Sequence, residues 1–286
     1  MSVYVVALLA GCMAIFATVC IAHFGGKLGG LLGSIPTTIV PGTLGFFWHA
    51  RTPADLTASL SVVPIGMLIN AIFLYAWRVI PPYLSKETSL YRRLGTMSAL
   101  SLGVWGCTAA LFMMGMQWRP TWFEVLWVGI LGQFTLLTFG IWACRSEVPA
   151  PKGKRPVSLV VLLSRGLLAG CAVGCSAWIS SLGFPILAGM ASVFPAIFLT
   201  TMVSIWLSQG EAVQAGAVGP MMLGSSSVAL YALLCIVTLP SLGGLWGVLV
   251  AWIAAVLLVS LPAWWWLTVR SQSVPFQDAK EETQVP

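Results

Sequence analysis

Charged side chains are scarce in this sequence. Asp, Glu, Lys and Arg make up only 8% of its residues, against roughly 25% in an ordinary soluble domain. A water-facing surface cannot be assembled from so few, which excludes a soluble enzyme and a nucleic-acid binder. Metal and thiol chemistry is equally thin. There are two histidines, and the seven cysteines form no CxxC pair, so neither a zinc site nor a secreted disulfide scaffold is encoded. The cysteines read instead as small hydrophobes in helix packing. All eight carboxylates (Asp55, Glu87, Glu124, Glu147, Glu211, Asp278, Glu281 and Glu282) fall in loops, at the edges of apolar runs or in the C-terminal tail. None is therefore buried where coupling to protons or sodium usually needs one. No Ser/His/Asp set, HExxH or facing pair of haem-type histidines can be placed. The chain reads as non-enzymatic, with no cofactor and no metal.

What fills the chain is apolar: 58% of it is hydrophobic and its mean hydropathy is +0.94. Nine runs, at 2–23, 28–48, 58–80, 94–116, 121–143, 159–182, 185–208, 215–239 and 243–268, are each long enough for a hydrocarbon core that needs about 20 helical residues. The expected fold is all-α, a polytopic membrane protein of about nine transmembrane helices. The first run has no positive n-region and reads as a retained span. Residues 269–286 lose all periodicity and read as a disordered tail. Trp118 and Trp122 at one interface, and Trp264, Trp265 and Trp266 at the other, suit the headgroup level.

The basic residues test that count. Nine spans put Lys27, Arg78, Lys86, Arg92, Arg93, Arg145, Lys152, Lys154, Arg155, Arg270 and Lys280 on one side, with only Arg51 and Arg119 on the other. The positive-inside rule then sets the N-terminus outside and the C-terminus in the cytoplasm of an inner (plasma) membrane.

The sequence also repeats itself. Leu8-Leu9-Ala10-Gly11-Cys12 recurs as Leu167-Leu168-Ala169-Gly170-Cys171, and the same displacement aligns Leu28 with Leu187, Gly30 with Gly189 and Pro36 with Pro195. A slightly shorter one aligns Pro64 with Pro220 and Tyr75-Ala76 with Tyr231-Ala232, and Gly103-Val104-Trp105-Gly106 matches Gly244-Leu245-Trp246-Gly247. The organisation is 4+1+4. Residues 1–116 form the first four-helix repeat, 117–156 a linker helix and basic cytoplasmic loop, 157–268 the second repeat, and 269–286 the tail. Five crossings separate the starts of the two copies, so parity gives them inverted topology. Each half, with a Gly-rich approach and a mid-span proline (GGKLGGLLGSIPTT; ILAGMASVFPAI), resembles the GlpM-like group of small four-helix membrane proteins. That resemblance covers most of each half and implies a fused, inverted pair of such units, with no catalytic residue to transfer. The lysine expected early in that family's first helix is absent; Val6 and Arg165 hold the equivalent positions.

Interrupted helices at matching places in two halves point to a transporter site near the midplane. The candidates are Pro36 with Thr37 and Thr38, and Pro195 with Thr200 and Thr201 downstream. Asn70, the chain's single asparagine, aligns with Ser226; these two, like Gln133, also suit interhelical glue. The overlapping GxxxG spacings of Gly25, Gly26, Gly29, Gly30 and Gly33 suit close packing. Arg165 lies inside an apolar run, where a charge either snorkels or meets an anionic substrate group. These features imply a small-molecule secondary transporter or facilitator working by alternating access, with a small neutral or anionic substrate. The alternative is a membrane subunit or accessory protein of a larger transport or polymer-export complex. The partners implied are the lipid bilayer and a homo- or hetero-oligomeric neighbour, with no nucleic acid.

Overall fold

The computed structural model describes residues 2–24, 35–85, 87–116, 121–145 and 159–272. The long elements among them are all helical: α1 (Val3–Phe24), α2 (Val40–His49), α3 (Pro53–Val79), α4 (Leu90–Gly115), α5 (Trp122–Arg145), α6 (Leu159–Ser181), α7 (Pro185–Ser192), α8 (Ala196–Gln209), α9 (Glu211–Leu242), α10 (Gly244–Ala255) and α11 (Leu261–Gln272). The Gly25–Gly33 spacings, Lys27, Lys86, Trp118, Arg119, the basic loop with Lys152, Lys154 and Arg155, and the tail beyond residue 272 lie outside the described residues.

Seven stretches are long and apolar enough to cross a membrane: Pro53–Val79, Leu90–Gly115, Trp122–Arg145, Leu159–Ser181, Pro185–Leu207, Gln214–Leu242 and Gly244–Arg270, with Val3–Val19 a shorter apolar helix. The chain is thus an all-α, multi-pass integral membrane protein. Its outer face is apolar, as Leu131, Val160 and Leu245 illustrate, which suits lipid as solvent. The apolar window of α3 is 78% buried and that of α9 61%, against 17% for α4, so α3 and α9 form the centre and α4 lies at the edge. Trp77, Tyr231, Phe46 and Phe73 fill the core between them.

Local chemistry sets the helix ends. α3 begins at Pro53, ahead of its apolar run, because Thr52 and Asp55 form a reciprocal capping box. Thr121 and Glu124 make the same exchange at the start of α5. Between α10 and α11 the backbone widens into a π turn over Val256–Ser260, where the Leu261 N–H reaches back to the Val256 carbonyl. Pro262 follows at once, and a widened turn accommodates a ring that would otherwise strike the preceding turn.

Close contacts fix how the helices run. Gly129 of α5 rests on the Ser61 carbonyl of α3, Gly132 rests on Ile65, and Arg78 Nη1 donates to the Ala143 carbonyl at 2.8 Å. Both series ascend, so α3 and α5 are parallel. Gly140 meets Leu223 while Gly219 meets Ala143, so α9 opposes α5. Gly42 meets Val173 and Gly45 meets Ala177, making α2 parallel to α6. Gly189 rests on Ser59, and Gly66 on Met190 and Val193, making α7 parallel to α3. Along α1 and α6 the order reverses: Ala7 lies by Gly170 and Gly174, Gly11 by Gly166 and Gly170, and Ile15 by Gly166. A Cβ on Gly11 would stand 2.9 Å from the Gly166 carbonyl oxygen, and one on Gly170 would stand 2.9 Å from that of Ala7.

These directions sort the described charges onto two ends of the bundle. One end gathers Arg78, which also donates to the Ala215 carbonyl, Arg93 with its ion pair to Glu211 at 2.9 Å, and Arg270, which donates to the carbonyls of Cys144 and Arg145. Arg92, Arg145 and Glu87 belong to the same end by their places on the chain. At the other end are Arg51, bonded to the Ser181 carbonyl, with Asp55 and Glu124.

Candidate functional site

The run 185–208 is not one helix. α7 stops at Ser192, Val193 and Phe194 turn away, and α8 starts after Pro195, which stands at its N-cap. Pro195 has no N–H to continue the ladder, and in lipid every freed carbonyl needs a partner. The Val193 carbonyl finds one in Asn70, whose Nδ2 donates to it at 2.8 Å from α3. Asn70 is 1% exposed, so this is a buried bond spanning the break. The sequence placed Asn70 and Pro195 in separate spans; the fold brings them together. Replacing Asn70 by alanine should lower stability by about 1–2 kcal/mol, because a buried carbonyl is left bare. Thermal unfolding of the purified protein in detergent measures it, and an unchanged midpoint would mean that the break holds without Asn70.

Farther along α8, Thr200 faces Arg165 of α6. Arg165 Nε donates to the Thr200 hydroxyl at 3.2 Å, and Nη1 donates to the Thr18 hydroxyl of α1 at 2.9 Å. Each hydroxyl spends its own proton on a backbone carbonyl, Thr200 on Ala196 and Thr18 on Ala14. Arg165 is 7% exposed. It therefore does not extend into open solvent along the helix, as the snorkelling reading required. Thr18 was not singled out by the sequence. The signal for it is the antiparallel crossing itself, which sets the polar residue near the end of α1 against the basic residue near the start of α6.

The other candidates lie apart from this pair. Pro36 is buried at the entry to α2, with Thr37 and Thr38 half-buried beside it. The residue of the first half that matches Val193 is Ser34, outside the described residues. Thr201 donates to the Ile197 carbonyl of its own helix. Ser226 is fully buried within α9, and its hydroxyl has no partner among the described residues; the same holds for Gln133 Oε1 in α5. A further buried amide escaped the sequence reading: Gln214 donates to the Trp77 carbonyl at 3.1 Å and ties α9 to α3.

A groove of about 950 Å³ lies between α1 and α6, lined by Ala7, Gly11, Ile15, Gly166, Gly170 and Trp178. It faces away from the core, on the opposite side of α6 from Arg165, so the cavity and the polar cluster are separate features. Cys12, Cys171 and Cys175 line it too. The packing role expected of the cysteines holds for buried Cys144 and Cys235, whereas Cys12, Cys107, Cys171 and Cys175 are exposed on the apolar outer face. Among the described residues no group of His, Cys, Asp and Glu could hold a metal ion. The chemistry on offer is hydrogen-bond donation and positive charge. Comparison with protein-family models, with curated proteins and with solved structures gives no match for the chain.

Proposed function

We propose that the protein is a non-enzymatic small-molecule secondary transporter or facilitator that works by alternating access between two inverted halves, 1–116 and 157–268. The observation that carries this reading is the seam between α1 and α6. The displacement that aligns Gly11 with Gly170 also aligns Ala7 with Gly166. Applied to the contact of Gly11 with the Gly166 carbonyl, it yields the contact of Gly170 with the Ala7 carbonyl, and both distances are 2.9 Å. The partners Gly174–Ala7 and Gly166–Ile15 exchange in the same way. Antiparallel helices that swap contacts like this are what a pseudo-two-fold axis in the membrane plane requires.

The break at Pro195 is the kind of helix interruption on which such sites are built, and the sequence repeat sets Pro36 at the matching place. The charge sorting supports nine spans, with the Arg-rich end in the cytoplasm of an inner membrane and the N-terminus outside. In this proposal each half is a GlpM-like unit. The accessory-subunit reading rests on a different observation, namely that Pro36, Pro195, Asn70 and Ser226 are all buried in packed surroundings.

Two-sided thiol labelling separates the readings. In a cysteine-free background, Thr200→Cys and Val6→Cys are probed in oriented vesicles with a membrane-impermeant maleimide. Alternating access expects Thr200→Cys to react from the Arg-rich side and Val6→Cys from the other. A bulky adduct at one position should suppress reaction at the second. Absence of reaction at both sites, or reaction of both from one side, overturns the transporter reading.

A further inference from the structure

We propose that Arg165, held by Thr18 and Thr200, binds an oxyanion group, a carboxylate or a phosphate, at the Arg-rich end of the bundle. The inference rests on the transporter reading and gives its substrate a chemical class.

The charge on Arg165 is unbalanced by any described carboxylate. Arg165 is 7% exposed within an apolar helix, and a cation at such a place needs compensation. The four described carboxylates are all placed elsewhere. Asp55 and Glu124 cap helices at the far end, Glu211 pairs with Arg93, and Glu87 lies in the link before α4. The contacts Arg165 does make are to neutral hydroxyls, which orient a charge without cancelling it.

The guanidinium also keeps donors to spare. Thr18 and Thr200 occupy Nη1 and Nε. Nη2, with its two hydrogens, and the second hydrogen of Nη1 have no partner among the described residues. This leaves Nη2 and one hydrogen of Nη1 as donors for the oxygens of an oxyanion. Because both threonines use their only proton on their own helices, they are positioning residues, and Arg165 is the binding group.

The two halves differ at this position. The repeat carries Arg165 and Thr18 onto Val6 and Ala177. There Gly45 is wedged against both side chains, with a Cβ position 3.1 Å from Val6 Cγ1 and 3.2 Å from Ala177 Cβ. Val6 and Ala177 are fully buried. The same place in the fold is thus a dry plug at one end and a cationic, hydroxyl-lined cluster at the other. Packing alone has an apolar solution at this position, and the chain uses it once.

The test uses the full-length protein in an uncharged detergent at fixed ionic strength, with inorganic phosphate and acetate as probes against a chloride background. Binding is read from the thermal midpoint of tryptophan fluorescence. The midpoint should rise with either probe, and Arg165→Gln should abolish the rise. Thr18→Val and Thr200→Val should each weaken binding about tenfold, as expected when a bond to a charged group is lost, and Thr18→Ser should restore it. A merely structural threonine would not show that rescue. A second arm distinguishes the source of the oxyanion. Native mass spectrometry after extraction from phosphatidylglycerol or phosphatidylcholine bilayers asks whether a phospholipid is retained only when Arg165 is present, which would make the ligand a lipid headgroup. Equal midpoint shifts in wild type and Arg165→Gln, or no shift and no Arg165-dependent lipid, overturn the site. Loss of anion binding with two-sided thiol labelling intact refutes this site alone and leaves the transporter reading standing.

Discussion

Arg165→Leu should make the protein more stable, by about 1–4 kcal/mol, when no anion is bound. The sign follows from what each partner keeps. Leucine removes a charge that is 7% exposed and has no carboxylate beside it among the described residues. Thr18 and Thr200 retain their bonds to Ala14 and Ala196, so neither hydroxyl is stranded by the change. A buried ion is costly to desolvate, and an apolar residue in its place avoids that cost. Chemical unfolding in mixed micelles, with and without phosphate, measures both sides of the trade. The variant should exceed wild type in chloride, and the margin should narrow as phosphate is added to wild type. A loss of stability in chloride would mean that Arg165 has a compensating partner in the folded protein.

The second large effect concerns glycine, and it changes sign with position. Gly129→Ala places a methyl group on the Ser61 carbonyl of α3, and Gly189→Ala places one on that of Ser59. Both obstacles are backbone of the central helix and cannot rotate aside, so helices must separate. Each substitution should cost about 1–3 kcal/mol, the usual penalty for forcing volume into a packed seam. Gly103 and Gly106 of α4 have nothing within 4 Å of the same added atom. There the alanine should stabilise by about 0.5–1 kcal/mol through its better helix propensity. Parallel thermal melts of the four variants give the comparison. Equal effects at 129 and 103 would mean that the α3–α5 contact does not limit stability.

Much of the framework was legible because lipid makes apolar length itself a signal. The runs expected at 94–116, 121–143 and 159–182 correspond to α4, α5 and α6, with ends shifted by a few residues. Where the ends moved, polar residues moved them: Thr52 with Asp55 draws α3 back to Pro53. The break after Ser192 was legible from Pro195, since a missing N–H acts the same way in any solvent. What could not be read was which apolar face turns inward. In water, a helix shows its core side by contrast with a polar side. In lipid both sides are apolar, so Leu131 and Leu136 look alike in sequence although one is exposed and the other fully buried. The cysteines on the outer face were misjudged for that reason. Small residues mark the seams instead, as Gly129, Gly140, Gly170 and Gly189 do. The Arg165 cluster was half legible: the odd charge and Thr200 stood out, whereas Thr18 became visible only once α1 and α6 were known to run against each other.

The corners of the second half carry a mechanical consequence. Gly210 alone joins α8 to α9, and Gly243 alone joins α9 to α10, at φ of +93° and +78°. Corners of one residue hold the facing helix ends together, and glycine supplies the left-handed backbone that so tight a reversal needs. In the first half, three residues separate α2 from α3, and a longer stretch with a short 3₁₀ turn separates α3 from α4. A change in helix tilt would there be spread over three residues or more, whereas at Gly210 and Gly243 a single residue would have to take it up.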